Sequence, residues 1–261
     1  MRIDCGSFAD MGAPPDLLAQ TEPVQQAFGH LVKEGYVILD RVLPPATVAQ
    51  LEIALEAALV DLTGTPDDRF RIGTLRYALP IALSGPFADP IVYANPAVTA
   101  IARVALDRSV ILQGFGAEMA LPGGAPQHID RDGRLLFDAD LSPLLPAHAL
   151  TCRLAVGAAH NVAIWPGSHR WKVRNEEAPP EVIDVPPGSV ALFDSRLLSG
   201  ATANRSDKPH YLLQAAYARR WFRDSTQGLR LAAARLEVGR DFLATVAPDD
   251  RGLFAHLRNA S

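Results

Sequence analysis

The sequence predicts a mainly β protein, a sandwich or jelly-roll barrel with flanking helices, built as one domain of 261 residues. Three observations predict it. From Val110 onward, short β-prone runs alternate with Pro/Gly turns at the spacing of a sandwich or barrel. Before that point, apolar residues recur at helical spacing. The chain is also long enough for one sizeable core, and no repeat or low-complexity linker divides it. The expected layout is a helical part at about 23–107, a barrel at about 110–220 and a helical tail at 225–261.

Each element has its own signal. Residues 1–22 contain Pro and Gly and read as extended. Pro23 to Glu34 places Val24, Phe28, Leu31 and Val32 on one helical face, and Gly35 stops the helix. Tyr36 to Leu39 is a short buried strand. Pro44-Pro45 opens a helix from Ala46 to Leu62, with Val48, Leu51, Leu55, Leu59 and Leu62 inward. A third helix, Pro96 to Leu106, carries Val98, Ile101 and Val104. Strands are expected at Val110–Gln113, Leu135–Phe137, Leu150–Val156, Val162–Trp165, Val182–Val185, Ser189–Phe193 and His210–Tyr217. The tail would place Leu229, Ala232, Ala233 and Leu236 on one helical face.

Composition narrows the function class. Hydrophobic residues make up 48% and charged residues 21%, with a formal net charge of −4, which suits a globular protein. No dense Lys/Arg block provides a nucleic-acid footprint. Met1 to Asp10 has no apolar core of a signal peptide, and no run approaches the ~18 apolar residues of a membrane span. A cytoplasmic protein is the expectation. Cys5 and Cys152 are too few for a disulfide scaffold and sit in no nucleophile motif, so both read as inert thiols.

The chemistry-bearing motif is Gln127-His128-Ile129-Asp130, an H-x-D. On a strand, residues i and i+2 share a face, so imidazole and carboxylate stand side by side. That is two thirds of a 2-His-1-carboxylate facial triad for non-haem iron. It is equally the composition of a solvated pair at a turn. Three later segments add weight: Pro166-Gly167-Ser168-His169-Arg170-Trp171, the run Val185 to Phe193, and Gly200 to Ser206.

Together these segments resemble the phytanoyl-CoA dioxygenase family of Fe(II)/2-oxoglutarate oxygenases. That family shows an H-x-D after a Pro-Gly turn, a P-G-S-H-R loop, a P-x-G-D/S-x-x-x-F strand and an H-G-x-x-x-N-x-S stretch. Phe28 to Leu43 is similar to the family's helix-and-strand opening, and the resemblance spans roughly Phe28 to Trp221. It implies a double-stranded β-helix barrel.

The departures from the pattern bear on function. The family's second metal-binding His corresponds to Ser199 here, and its Arg for the far carboxylate of 2-oxoglutarate corresponds to His210. Ala120 and Leu121 precede Pro122 where the family often has a Lys. A hydroxyl is a poor Fe(II) ligand, and an imidazole is a weaker, pH-dependent carboxylate partner than a guanidinium fork. The loss of all three implies that iron and 2-oxoglutarate have been abandoned, so no cofactor is expected. Any metal would have only His128 and Asp130.

The resulting expectation is an enzyme on a small organic molecule, in secondary metabolism, using His128, Asp130 and His210 as acid–base groups. Gln113, Asp194, Arg196 and Ser199 are candidates to contact the substrate. For Asp194 and Arg196 the alternative is an ion pair with each other. Which of Gln113 and Glu118 faces inward is open. His169 reads as structural, His148 and His160 as loop residues, Trp165 and Trp171 as packing, and Asn204 and Ser206 as turn-formers. One alternative is an oxygenase with an unusual ligand set, using His210 as the second His and Arg219 or Arg220 as the anchor. Another is a non-catalytic chain paired with an active homologue. A homo-oligomer fits any of these; nucleic acid and membrane are not expected partners.

Overall fold

The computed structural model describes residues 1–7, 14–63, 70–158, 160–175, 177–222, 236–239 and 241–257. The helices are α1 Pro15–Leu18, α2 Glu22–Glu34, α3 Pro45–Thr63, α4 Pro90–Tyr93, α5 Pro96–Leu106 and α6 Phe242–Thr245. The first seven strands are β1 Arg2–Asp4, β2 Tyr36–Asp40, β3 Arg71–Gly73, β4 Arg76–Pro80, β5 Ala82–Leu83, β6 Ile111–Ala120 and β7 Asp130–Arg131. The other seven are β8 Ala149–Gly157, β9 His160–Ile164, β10 Glu181–Val185, β11 Val190–Asp194, β12 Leu198–Ala201, β13 His210–Ala218 and β14 Glu237–Val238.

Two sheets make the barrel. The larger has the order β1-β2-β11-β8-β13-β6-β4-β3, and the smaller has the order β10-β9-β12-β7. A parallel β14–β5 pair lies apart. The larger sheet is covered on both faces, which is why its strands read as unbroken apolar runs. Along β11, Val190 and Leu192 join the cluster that includes Val24, Leu31, Leu51, Leu55 and Ile101 of the helices. Ala191 and Phe193 point the other way and pack with Val162 and Ile164 of the smaller sheet. Successive strand side chains alternate faces, so one strand serves two cores.

Helix boundaries follow their punctuation. Asn95 caps α5, its Oδ1 accepting from the Ala97 and Val98 amides at 3.1 and 3.4 Å, with Pro96 in the first turn. Gly35 ends α2 in the left-handed region at φ 85°. A Cβ there would lie 2.6 Å from His169 Nδ1 and 2.7 Å from Leu197 Cδ1. The Pro166–Arg170 loop closes over this helix end. Gly35 N–H donates to the Leu31 carbonyl, Gly167 N–H to Glu34, and His169 Nε2 to Val32 at 3.1 Å. Three of the last-turn carbonyls are thus satisfied, and His169 is structural, as its motif suggested.

Some expectations need correction. Leu135–Phe137 is not a strand, and Phe137 is exposed. Residues 1–22 are not wholly extended, since β1 is followed by a 3-10 turn at Cys5–Ser7 and by α1. On α2 the buried residues are Val24, Ala27 and Leu31, whereas Val32 is 54% exposed. Within 225–261, Leu236 is followed by β14, α6 and a 3-10 segment at Pro248–Phe254 rather than one helix; Leu229, Ala232 and Ala233 lie outside the described residues, as does the side chain of Leu62. Asp130–Arg131, Leu198–Ala201 and β3 to β5 are strands that the period did not mark. Among the described residues, no helix is long and apolar enough to cross a membrane.

Candidate functional site

The smaller sheet carries the H-x-D. Ser199 of β12 pairs with Ile164 of β9, whose side chain belongs to the cluster between the two sheets, so the Ser199 hydroxyl faces the barrel interior. Asp130 lies directly opposite Ser199 in the β12–β7 ladder and shares its face. His128 precedes it by two residues. Ser199 is buried, but His128 and Asp130 are both exposed, because β7 is the edge strand of its sheet. The pair therefore stands at the open margin of the barrel rather than in a closed cavity. Among the described residues, no group of three or more His, Cys, Asp or Glu is placed to hold a metal.

Deeper in, the barrel is polar. Gln127 bridges the margin to the larger sheet, with Nε2 donating to Glu118 Oε2 at 3.1 Å and Oε1 accepting from the Ala201 amide at 3.3 Å. Arg76 of β4 is buried and donates to the carbonyls of Ala125 and Thr202. Arg153 of β8 is 5% exposed and donates from Nη2 to Asp132 at 2.8 Å. Its Nε and Nη1 find no acceptor among the described residues. His160 at the start of β9 is buried, and neither ring nitrogen has a partner. Its ring centroid is 6.4 Å from that of His210.

His210 opens β13 and is half-buried, with its Nε2 3.0 Å from Ser206 Oγ. Burial, and then the nearby Arg76 charge, lower its pKa below the usual imidazole range. Burial has the larger effect on His160, with Arg153, Arg76 and His210 adding to it, and pushes its pKa down to about 3. Both rings are therefore neutral near pH 7. A cavity of ≈ 990 Å³ opens beside this end of the barrel, lined by Gln127, Ile129, Asn161, Thr202, Ser206 and His210 among others.

Other site candidates lie elsewhere. Asp194 and Arg196 form a fully buried bidentate pair, with Nε to Oδ1 at 2.9 Å and Nη2 to Oδ2 at 2.7 Å. Arg196 Nη1 also donates to the Leu145 carbonyl at 3.1 Å. With their groups mutually satisfied, they hold the β11–β12 turn and border a second cavity of ≈ 430 Å³ with Leu145, His169 and Arg219. Gln113 is the extra residue where the β6–β13 register shifts, and its Nε2 reaches the Phe222 carbonyl at 3.4 Å. Gln113 lies seven residues along β6 from Ala120, the partner of His210, and so near the other end of the strand, whereas Glu118 pairs with Leu212 of the inter-sheet cluster and faces inward. Arg219, the alternative anchor, donates to Ala147 and Ala105 carbonyls and pairs with Asp107, away from His210.

Sequence reasoning missed Arg153, Arg76, Asp132 and His160. Arg153 had a readable signal, since it is the one charged residue within the apolar run Leu150–Val156. His160 opens β9 rather than lying in a loop, whereas His148 lies in the bend before β8 as expected; both are buried. Asn204 shapes its turn as expected, with Nδ2 donating to the Ala120 and Lys208 carbonyls at 2.8 Å. Trp165 is buried, with its Nε1 donating to the Ala178 carbonyl at 2.8 Å. Cys5 and Cys152 are free and buried, and burial raises both thiols to about 12, which keeps them unreactive.

Comparison with known proteins places these features in a family. The model described as phytanoyl-CoA dioxygenase matches residues 31–210. AviO1 from Streptomyces viridochromogenes Tue57 is similar over 78% of this chain and 98% of its own, at 17% identity and a TM-score of 0.60. HygX from Streptomyces hygroscopicus, in a crystal structure with nickel, 2-oxoglutarate and hygromycin B bound, is similar over 82% and 96%, at 14% identity and a TM-score of 0.61. SnoN, a non-haem α-ketoglutarate-dependent epimerase from nogalamycin biosynthesis, matches over 75% and 82%, at 19% identity and a TM-score of 0.56. These likenesses establish the jelly-roll fold.

Proposed function

The chain belongs to the phytanoyl-CoA dioxygenase family, and from that premise we propose an enzyme of secondary-metabolite biosynthesis that works on a small organic molecule by acid–base chemistry, without iron or 2-oxoglutarate. The observation that carries this reading is the pairing of Ser199 with Asp130. Where a facial triad needs a second imidazole beside the carboxylate, this strand presents a hydroxyl. Fe(II) would be left with one imidazole and one carboxylate. At position 210 an imidazole hydrogen-bonded to Ser206 replaces the guanidinium fork that a distal carboxylate would seek. The residues present do not fit the iron and 2-oxoglutarate pair.

What remains suits proton transfer. His210, neutral near pH 7, can take a proton from a carbon or hydroxyl of the substrate. His128 can return one at a second atom, with Asp130, two residues further on, as the carboxylate to fix its tautomer. Net oxidation state is unchanged, so cyclisation, isomerisation or elimination are the reactions within reach. The secondary-metabolism setting is supported by SnoN, which comes from nogalamycin biosynthesis. The competing reading, an oxygenase with an atypical ligand set, has the nickel and 2-oxoglutarate bound to HygX in its favour.

The test is mass-spectrometric. Metabolite pools are incubated with the purified protein in the presence of a metal chelator and without 2-oxoglutarate. The expected product is isomeric with its substrate or lighter by a small neutral molecule. A product heavier by one oxygen atom, formed only with added Fe(II) and 2-oxoglutarate, contradicts the proposal.

A further inference from the structure

We propose that Arg153, inside the barrel, is the docking point for a carboxylate of the substrate. The inference rests on the small-molecule reading above and names the substrate class. Arg153 shares its strand face with Ala155, which packs in the cluster between the two sheets, so the guanidinium faces the smaller sheet across the interior. It is 5% exposed. Asp132 accepts from Nη2 alone, and Nε and Nη1 remain without acceptors. Leaving charged donors buried and unmet is unfavourable, so a ligand that meets them gains binding energy.

The surroundings define that ligand. Arg76 has its Nε and Nη2 donors on the Ala125 and Thr202 carbonyls, and Glu118 accepts from Gln127. His160, buried and partnerless at both nitrogens, adds one N–H donor and one acceptor while neutral. The unmet demand is therefore chiefly for acceptors beside a cation. A carboxylate offers two oxygens and one negative charge. A phosphate dianion would set a second negative charge beside Asp132 and Glu118. The wall is apolar, with the Phe193 ring 5.8 Å from the guanidinium carbon and Ile164 and Leu212 in the same cluster. The ligand that fits is an organic acid with an apolar body. Gln127 lies between the ≈ 990 Å³ cavity, which it lines, and the interior carboxylate of Glu118, to which it donates.

The experiment is ligand-observed saturation-transfer NMR on the full chain. Benzoate, cinnamate and 4-phenylbutyrate are compared with their neutral amides, with and without Fe(II). The carboxylates should bind and the amides should not. Arg153→Lys keeps a charge for Asp132 but removes the Nε and Nη1 donors, and it should weaken carboxylate binding about tenfold or more. His160→Phe should weaken it by a smaller factor. Circular-dichroism melts establish that each variant folds. If Arg153→Lys does not, the carboxylate-to-amide difference in the wild type decides. No carboxylate binding, equal binding of the amides, or unchanged binding in folded Arg153→Lys overturns the site. Arg153-dependent binding that requires Fe(II) keeps the site and overturns the iron-independent reading. Binding without Fe(II) that ignores Arg153→Lys does the reverse.

Discussion

Ser199 and Asp130 are direct partners across the β12–β7 ladder, so whatever side chain occupies position 199 stands beside the carboxylate. Residues paired in this way have Cβ atoms roughly 5 Å apart, close enough for both to reach one ion. Ser199→His should therefore rebuild a third ligand. The expected result is Co(II) binding with visible d–d absorbance in the variant and none at the same concentration in the wild type. Absence of a cobalt spectrum in folded Ser199→His would show that His128 and Asp130 cannot converge with position 199.

The Asp194–Arg196 pair is predicted to support the fold rather than bind substrate. Both side chains are 3% exposed, and each meets the other through two hydrogen bonds. Removing one partner strands a buried charge. Arg196→Met should cost on the order of 3–5 kcal/mol in urea unfolding, and adding Asp194→Leu should recover part of it. A loss below about 1 kcal/mol for the single variant would contradict the assignment.

The larger architecture was legible from the chain because it depends on periods. Helices at Val48-Leu51-Leu55-Leu59 and strands such as Leu150–Val156 bury one regular face or both, and the period records that. The site was legible only through the H-x-D and its displaced partners at 199 and 210. Depth was not. His128 and Asp130 are exposed because β7 is an edge strand of two residues, a fact of sheet order rather than of local sequence. Gln113 was misplaced because the antiparallel register sets His210 opposite Ala120 at the far end of β6, and strand register is a tertiary fact that local period does not record. Arg153 and His160 become neighbours only once β8 and β9 fold over the interior.

His160 also predicts an acid sensitivity. Its folded pKa, about 3, lies below the unfolded value near 6.5. The unfolded chain thus binds the proton first as pH falls. The associated stability is fully present above pH ~6.5 and drains away towards pH ~3. His30, His169 and His210 are shifted in the same direction, chiefly by burial, and add to the slope. Urea unfolding between pH ~6 and ~4.5 should show His160→Phe with a pH slope shallower than wild type by about one proton. Identical slopes would mean that His160 is protonated in the folded protein.

The acid–base assignment is tested by substitution once a turnover is in hand. His128→Ala and His210→Ala should each lower the rate by about 10²–10⁴-fold while melting near the wild-type temperature, because such groups typically contribute that much. Both rings are at least partly solvent-accessible, so their loss should leave the core intact. Full activity in either variant removes that residue from the mechanism.

Iron retention is the direct test of whether this barrel keeps the family's fold without its iron chemistry. The purified wild-type chain is loaded anaerobically with Fe(II), desalted and submitted to elemental analysis. Iron is expected at the level of a metal-free control protein, because Ser199 leaves only His128 and Asp130 as ligands. Near-equimolar iron retained by the wild type would contradict it.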